Sequence, residues 1–160
     1  MRASGIGRTL AEALHDRGNQ VIVAGRRQAL LDEVTGGRSR MTGMQLDLGD
    51  PASLPRFADA IHTRFPGLNV LVANAGISSM EDIANDWDMS AAEAMVETNI
   101  LGTMRMVGAL LPGLKRQPDA VIMATTSNLA YVPKAIFPTY WGRPNIRDTN
   151  RKVAEAAVPV

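Results

Sequence analysis

Short apolar runs alternate with helical patterns along this chain, and that alternation restricts its fold more than any other feature. The runs lie at 20–25 (QVIVAG), 44–48 (MQLDL), 69–73 (NVLVA) and 120–124 (AVIMA). Between them, apolar residues recur at helical spacing. A helix is predicted over 6–17, with Leu10, Ala13 and Leu14 on one face and Gly18 as its stop. A short helix follows over 28–34. A third is opened by Asp50-Pro51 and ended near residue 65 by Pro66-Gly67. The longest is expected over 91–111, capped by Ser90 with Glu93 completing a capping box, and closed by Pro112-Gly113. The strands read as continuously apolar rather than alternating. That pattern predicts a parallel sheet covered by helices on both faces. There is no internal repeat and no low-complexity stretch.

Composition excludes several function classes. A chain of 160 residues suits one domain. With 46% hydrophobic and 21% charged residues, disorder along its whole length is excluded. A net charge of +1 argues against an electrostatic binder of nucleic acid or membrane, and 4% aromatics against a stacking platform for single strands. The absence of cysteine removes disulfides, zinc–thiolate sites, iron–sulfur clusters and a thiol nucleophile. His15 and His62 are too few for a histidine-rich metal site, and the scattered methionines read as core filler. No apolar run approaches the ~20 residues that span a bilayer. Met1 leads into Arg2-Ala3-Ser4-Gly5 without the apolar core of a signal peptide, so a soluble cytoplasmic protein is expected.

The polar residues that could carry chemistry gather where the strands should end. Ser4, Gly5, Ile6 and Gly7 open the first helix, where glycines let a phosphate approach backbone N–H groups. Arg26-Arg27 follow the first run, Asp47-Leu48 close the second, and Asn74-Ala75-Gly76 follow the third. Ser127 comes after the fourth, and Tyr140 stands thirteen residues later. Open parallel sheets bind ligands at the carboxyl ends of their strands. Each residue also has a plainer reading. The glycines could serve tight packing, Arg26-Arg27 could be a solvated pair, and Ser127 an ordinary loop serine. Tyr140 could pack beside Phe137 and Trp141. Asn99 could be a polar residue inside a helix that needs a local partner.

Over roughly residues 4–140 the constellation resembles the short-chain dehydrogenase/reductase family. RTLAEALHDRGNQVIVAGRRQALLDEV is similar to its bacterial oxidoreductases named after a D-alanine–teichoic-acid operon. The resemblance implies a Rossmann-like, doubly wound parallel sheet with an NAD(P)-binding site. It matches Gly5 and Gly7 to the last two glycines of the family's pyrophosphate loop, and Asp47 to the residue that bonds the adenine amino group, with Leu48 packing nearby. Asn74, Ala75 and Gly76 match the motif that stabilises the central sheet and abuts the cofactor. Asn99 matches the asparagine whose backbone holds a water in a proton relay. Ser127 matches the serine that bonds the substrate carbonyl, and Tyr140 the general acid/base. Arg26 stands beside Gly25 where NAD-preferring members carry an acidic residue. A guanidinium suits a 2′-phosphate, so NADP(H) is expected over NAD(H). The implied reaction moves hydride between the nicotinamide and a carbonyl or secondary alcohol. Residues 77–88 are expected near the pocket mouth, and the long helix is a surface through which copies pair in that family.

The sequence departs from the family twice. Met1 stands at the first glycine of the loop, and the strand that should precede the loop is missing from this sequence. That strand is the middle of the family's sheet, so its neighbours are expected to lack a common partner. Four residues after Tyr140, where the family has lysine, stands Pro144, with Arg143 one position short and Lys152 distant. The expectation is therefore a partial NAD(P)-binding domain over 1–140 followed by a divergent tail over 141–160. The first strand and the C-terminal units would be missing, with little activity. The tail carries +2 against −1 for the rest, and its abrupt onset fits a shifted reading frame. The alternative reading is a non-enzymatic, cofactor-binding remnant or an inactive partner of a full-length homologue.

Overall fold

A computed structural model describes residues 5–81, 88–127 and 139. The chain divides into two compact units, Met1–Asp47 and Leu48–Val160.

In the first unit, α1 (Ile6–Asp16), β1 (Val21–Gly25), α2 (Gln28–Thr35) and β2 (Met41–Gln45) follow one another. β1 and β2 run parallel, with Val21 opposite Met41 and Gly25 opposite Gln45. Gly18 turns the chain from α1 into β1 at φ +91°, a conformation that costs glycine nothing. The amide of Asn19 closes the helix end on the Leu14 carbonyl at 2.8 Å. Ala11, Val21, Val34 and Met41 form the core, with Leu14 and Val23 against it. Gly43 is where α2 lies closest to the sheet, since a Cβ there would sit 2.9 Å from the Leu31 Cβ.

The second strand corrects the sequence reading. It occupies Met41–Gln45 rather than 44–48. The core decides this, because pairing Met41 with Val21 takes the methionine out of water. Leu46 and Leu48 are buried beyond the strand's end, at 5% and 6% exposure. Outside the core, Glu12 joins Arg8 and Arg38 at 3.0 and 3.1 Å, and Arg8 also reaches Glu33 at 2.6 Å.

The second unit contains α3 (Ser53–Arg64), β3 (Val70–Ala73), α4 (Met89–Val96), α5 (Thr103–Leu114) and β4 (Val121–Ala124). A six-residue π-helical stretch, Glu97–Gly102, joins α4 to α5. Helix α3 buries Leu54, Phe57, Ala58 and Ile61, an i, i+3, i+4, i+7 face, against α5. Full burial of such a side chain is worth about 1.5–3 kcal/mol. Strands β3 and β4 are parallel, with Val70 opposite Val121 and Ala73 opposite Ala124. Leu71 and Ala73 are buried, whereas Val121 and Met123 are exposed.

The long helix also differs from expectation at both ends. Its N-cap is Asp88, not Ser90. The Asp88 carboxylate accepts from the Ser90 hydroxyl at 2.6 Å and the Ser90 amide at 2.9 Å. A carboxylate takes two such donors at once, and Ser90 becomes one of them. At the far end the helix continues through Pro112-Gly113 to Leu114. Pro112 stands in the last turn, where the residue four back, Gly108, is exposed, so the forfeited bond faces water. Gly113 is required there for close packing, since a Cβ would lie 2.7 Å from the His62 ring.

Candidate cofactor and catalytic site

In the first unit, three sequence-predicted features share one edge. The parallel pairing puts the carboxyl ends of β1 and β2 together. Arg26 follows β1 and is exposed, and Asp47 comes two residues after β2. The Gln45 amide donates to the Arg26 carbonyl at 2.9 Å, which ties the two exits. Only residues 17–20 join the end of α1 to the start of β1, so α1 runs back along the sheet and begins at this same edge. Gly5 is its N-cap, with no side-chain hydrogen bond to the first turn. Among the described residues, no capping side chain serves the first-turn N–H groups of this helix. Among the described residues, a Cβ on Gly5 would meet nothing within 4 Å. Such a helix start, flanked by Ile6 and Gly7, fits the anionic pyrophosphate of a dinucleotide.

In the second unit the carboxyl edge of β3 and β4 is bonded across. The Thr125 amide continues the ladder to the Ala73 carbonyl at 2.9 Å. Its hydroxyl donates to the Asn74 side-chain oxygen, also at 2.9 Å. Asn74 is half-buried, with Ala75 and Gly76 exposed after it. Ser127, half-buried, lies three residues beyond β4 on this edge.

Asn99 is 2% exposed within the π-helical stretch. Its side-chain oxygen accepts from the Ile77 amide and its NH2 donates to the Ile77 carbonyl, each at 2.8 Å. The side chain is thus engaged by the loop after β3. Leu48 is buried beneath the same stretch. A Cβ on Gly102 would fall 2.4 Å from the Leu48 carbonyl oxygen, so only glycine permits this approach. π-Helical turns are rare and frequent at functional sites.

Sequence reasoning missed two residues here. Thr125 is one; its only signal is its place directly after a strand. Glu81 is the other. It is 6% exposed, and its carboxylate accepts from both the amide and the hydroxyl of Thr139, at 2.9 and 2.6 Å. Glu81 stands between Ser78-Ser79-Met80 and Asp82, so nothing local in the sequence marks it as buried. Ser4 and Tyr140 lie outside the described residues, as do Met1, Arg143, Pro144 and Lys152. Among the described residues no three histidine, aspartate or glutamate side chains cluster as a metal site. No helix among them is long and apolar enough to cross a membrane.

The sequence model of the short chain dehydrogenase family matches residues 2–142. The uncharacterized oxidoreductase DltE of Bacillus subtilis (strain 168) is 31% identical over 99% of this chain and 68% of its own length. A probable oxidoreductase of Streptomyces antibioticus is 38% identical over 78% of this chain, which spans 42% of that protein. Among solved structures, the NADPH-bound short chain oxidoreductase of Pseudomonas aeruginosa PAO1, containing an atypical catalytic center, superposes with a TM-score of 0.85 at 25% identity. The alignment covers 96% of this chain and 62% of that one. The closed form of serine dehydrogenase complexed with NADP+ has the same fold, with a TM-score of 0.87 at 24% identity over 95% of this chain and 62% of its own.

Proposed function

Because this chain belongs to the short-chain dehydrogenase family, we propose that it carries the cofactor half of an NADP(H)-dependent carbonyl or alcohol oxidoreductase. The cofactor supplies the hydride chemistry. The start of α1 at Gly5, Ile6 and Gly7 receives the pyrophosphate. Asp47 and Leu48 receive the adenine, and Arg26 pairs with the 2′-phosphate. Asn74, Ala75 and Gly76 abut the cofactor. Ser127 holds the substrate carbonyl oxygen, Tyr140 gives or takes its proton, and the main chain at Asn99 holds a water of the proton relay.

The observation that carries this reading is the helix start at Gly5, uncapped among the described residues, at the edge where Arg26 leaves β1. Titration of the folded chain with NADPH and NADH tests it. Saturable NADPH binding that weakens on Gly5→Glu is expected, since a side-chain anion would then occupy the phosphate position. Absence of binding to either cofactor contradicts the reading.

A second reading rests on Pro144. Tyrosine titrates near pH 10, and a neighbouring ammonium lowers that value by favouring the phenolate. Without lysine at that position, this polypeptide binds cofactor and turns it over poorly. NADPH oxidation with a panel of aldehydes and ketones separates the two readings. Robust turnover abolished by Tyr140→Phe would remove the second. Cytoplasmic location and pairing of copies through α4 and α5 belong to the same proposal.

A further inference from the structure

We propose that Thr125 is a positioning residue: it aims the Asn74 side chain so that its NH2 group donates to an oxygen of the bound cofactor. The inference rests on the reading of Asn74 as a residue that abuts the cofactor.

Asn74 and Thr125 are the first residues past the last register pair of their sheet, Ala73 opposite Ala124. Both main chains are fixed there. The Thr125 amide donates to the Ala73 carbonyl at 2.9 Å, and the Asn74 amide turns back to the Val72 carbonyl at 3.1 Å. What is left to settle is the rotation of the Asn74 carboxamide, a torsion with a broad, roughly two-fold preference. The Thr125 hydroxyl removes that freedom. It donates to Asn74 Oδ1 at 2.9 Å, and the branched Cβ of threonine restricts where the hydroxyl can stand. With Oδ1 turned to Thr125, the NH2 group turns away from it. That group carries two N–H donors, and among the described residues neither has a partner. Asn74 is only half-buried, so the donors are within reach of a ligand. The two carbonyls that end β3 are taken by the Asn74 and Thr125 amides. A pair of donors at this edge suits the hydroxyl and phosphate oxygens of a dinucleotide. Beyond the exposed Ala75 and Gly76, Ile77 is held at both main-chain groups by Asn99. The turn is thus tied at both ends and the NH2 group keeps its place before a ligand arrives, which spares the cost of ordering it on binding. Thr125 need not touch the cofactor itself.

Calorimetry and side-chain amide NMR on the full chain test this. Asn74→Ala assigns the Asn74 NH2 pair. Saturating NADPH should move that pair in the unaltered chain. Thr125→Val removes the hydroxyl at nearly the same shape. In that variant the NH2 pair should collapse toward its unfolded position before cofactor is added. NADPH affinity should fall about threefold to tenfold, the worth of one neutral hydrogen bond. The amides of Leu71 and Met123, within the β3–β4 pairing, should stay protected from exchange. Thr125→Ser keeps the hydroxyl and should restore both the NH2 signal and the affinity. If Thr125→Val fails to fold, Thr125→Ala takes its place in each measurement. Unchanged NADPH affinity in Thr125→Val overturns the proposal, as does an NH2 pair that NADPH leaves unmoved. Loss of protection at Leu71 and Met123 in step with affinity also overturns it, since the hydroxyl would then serve only the sheet. Failure of the unaltered chain to bind NADPH overturns the cofactor reading, and this proposal with it; the other adverse outcomes overturn this proposal alone.

Discussion

Asn99 and Ile77 are bonded twice: the carboxamide of one meets both main-chain polar groups of the other, each at 2.8 Å, across 22 residues of sequence. An asparagine inside a helix ordinarily competes with the helix's own bonds. Here the loop after β3 supplies the partner, so the side chain is a clamp and the loop has a fixed path past the strand ends.

Replacing Asn99 with alanine strands the Ile77 amide and carbonyl and leaves a gap. Each buried group left without a partner costs about 1–3 kcal/mol. Urea denaturation of Asn99→Ala should show a loss of about 2 kcal/mol or more. A loss below about 0.5 kcal/mol, the size of an ordinary surface substitution, would deny the clamp.

Two glycines of the same long helix should respond with opposite sign. Gly102→Ala puts a Cβ against the Leu48 carbonyl, where backbone must move, and overpacking of this kind costs about 1–3 kcal/mol. Gly108→Ala meets nothing within 4 Å and should stabilise by about 0.5–1 kcal/mol through helix propensity alone. Thermal melts of the two variants make the comparison. Equal destabilisation would mean that helix α5 and the stretch before it are packed otherwise than described.

Arg26→Ala should weaken NADPH binding about tenfold or more, the worth of one charge-assisted bond to phosphate. NADH, which lacks the 2′-phosphate, should change less than about twofold. Parallel calorimetric titrations decide it. Equal losses for both cofactors would remove the argument for NADP(H).

Asp88 should make the start of α4 sensitive to acid. Its carboxyl is held below the ordinary value of 3.8, first by the Ser90 hydroxyl and then by the Ser90 and Ala91 amides. A depressed native value means that the folded state favours the anion. The contribution is therefore fully present above pH 3.8 and is lost as pH falls through the lower native value. Between pH 6 and pH 2.5 the native chain should lose more stability than Asp88→Ala does. Identical pH profiles would show that the cap does not hold in solution.

The elements most legible in the sequence were those whose signal is local. Gly18 ends α1 and β1 follows, because a glycine turn and a β-branched run act within a few residues. The displacement of β2 was not legible, since Met41 enters the sheet only through Val21, Ala11 and Val34. Asp88 was passed over for Ser90 because both are good caps, and only the geometry decides which one accepts. Among the candidate site residues, Gly5 and Gly7 were read from their place at a helix start, and Arg26, Asp47 and Asn74 from their place at the end of an apolar run. Ser127 was read from its place after the fourth run, and the structure sets it beyond β4 at the edge shared with Asn74. Thr125 and Glu81 were not found, because their partners lie 51 and 58 residues away and neither residue type is unusual where it stands.

The π-helical stretch lets one rod face two neighbours. A regular α-helix advances about 100° per residue. Deleting a single residue between Glu97 and Gly102 would restore regular winding. Everything beyond the deletion would then turn by about that angle relative to everything before it. Either Asn99 would leave Ile77, or Met106 and Leu110 would leave the α3 face. The wide turns absorb that angular mismatch, so the core on α5 and the clamp on the loop are met by the same helix. A one-residue change of length there would act as a rotation of the site against its foundation.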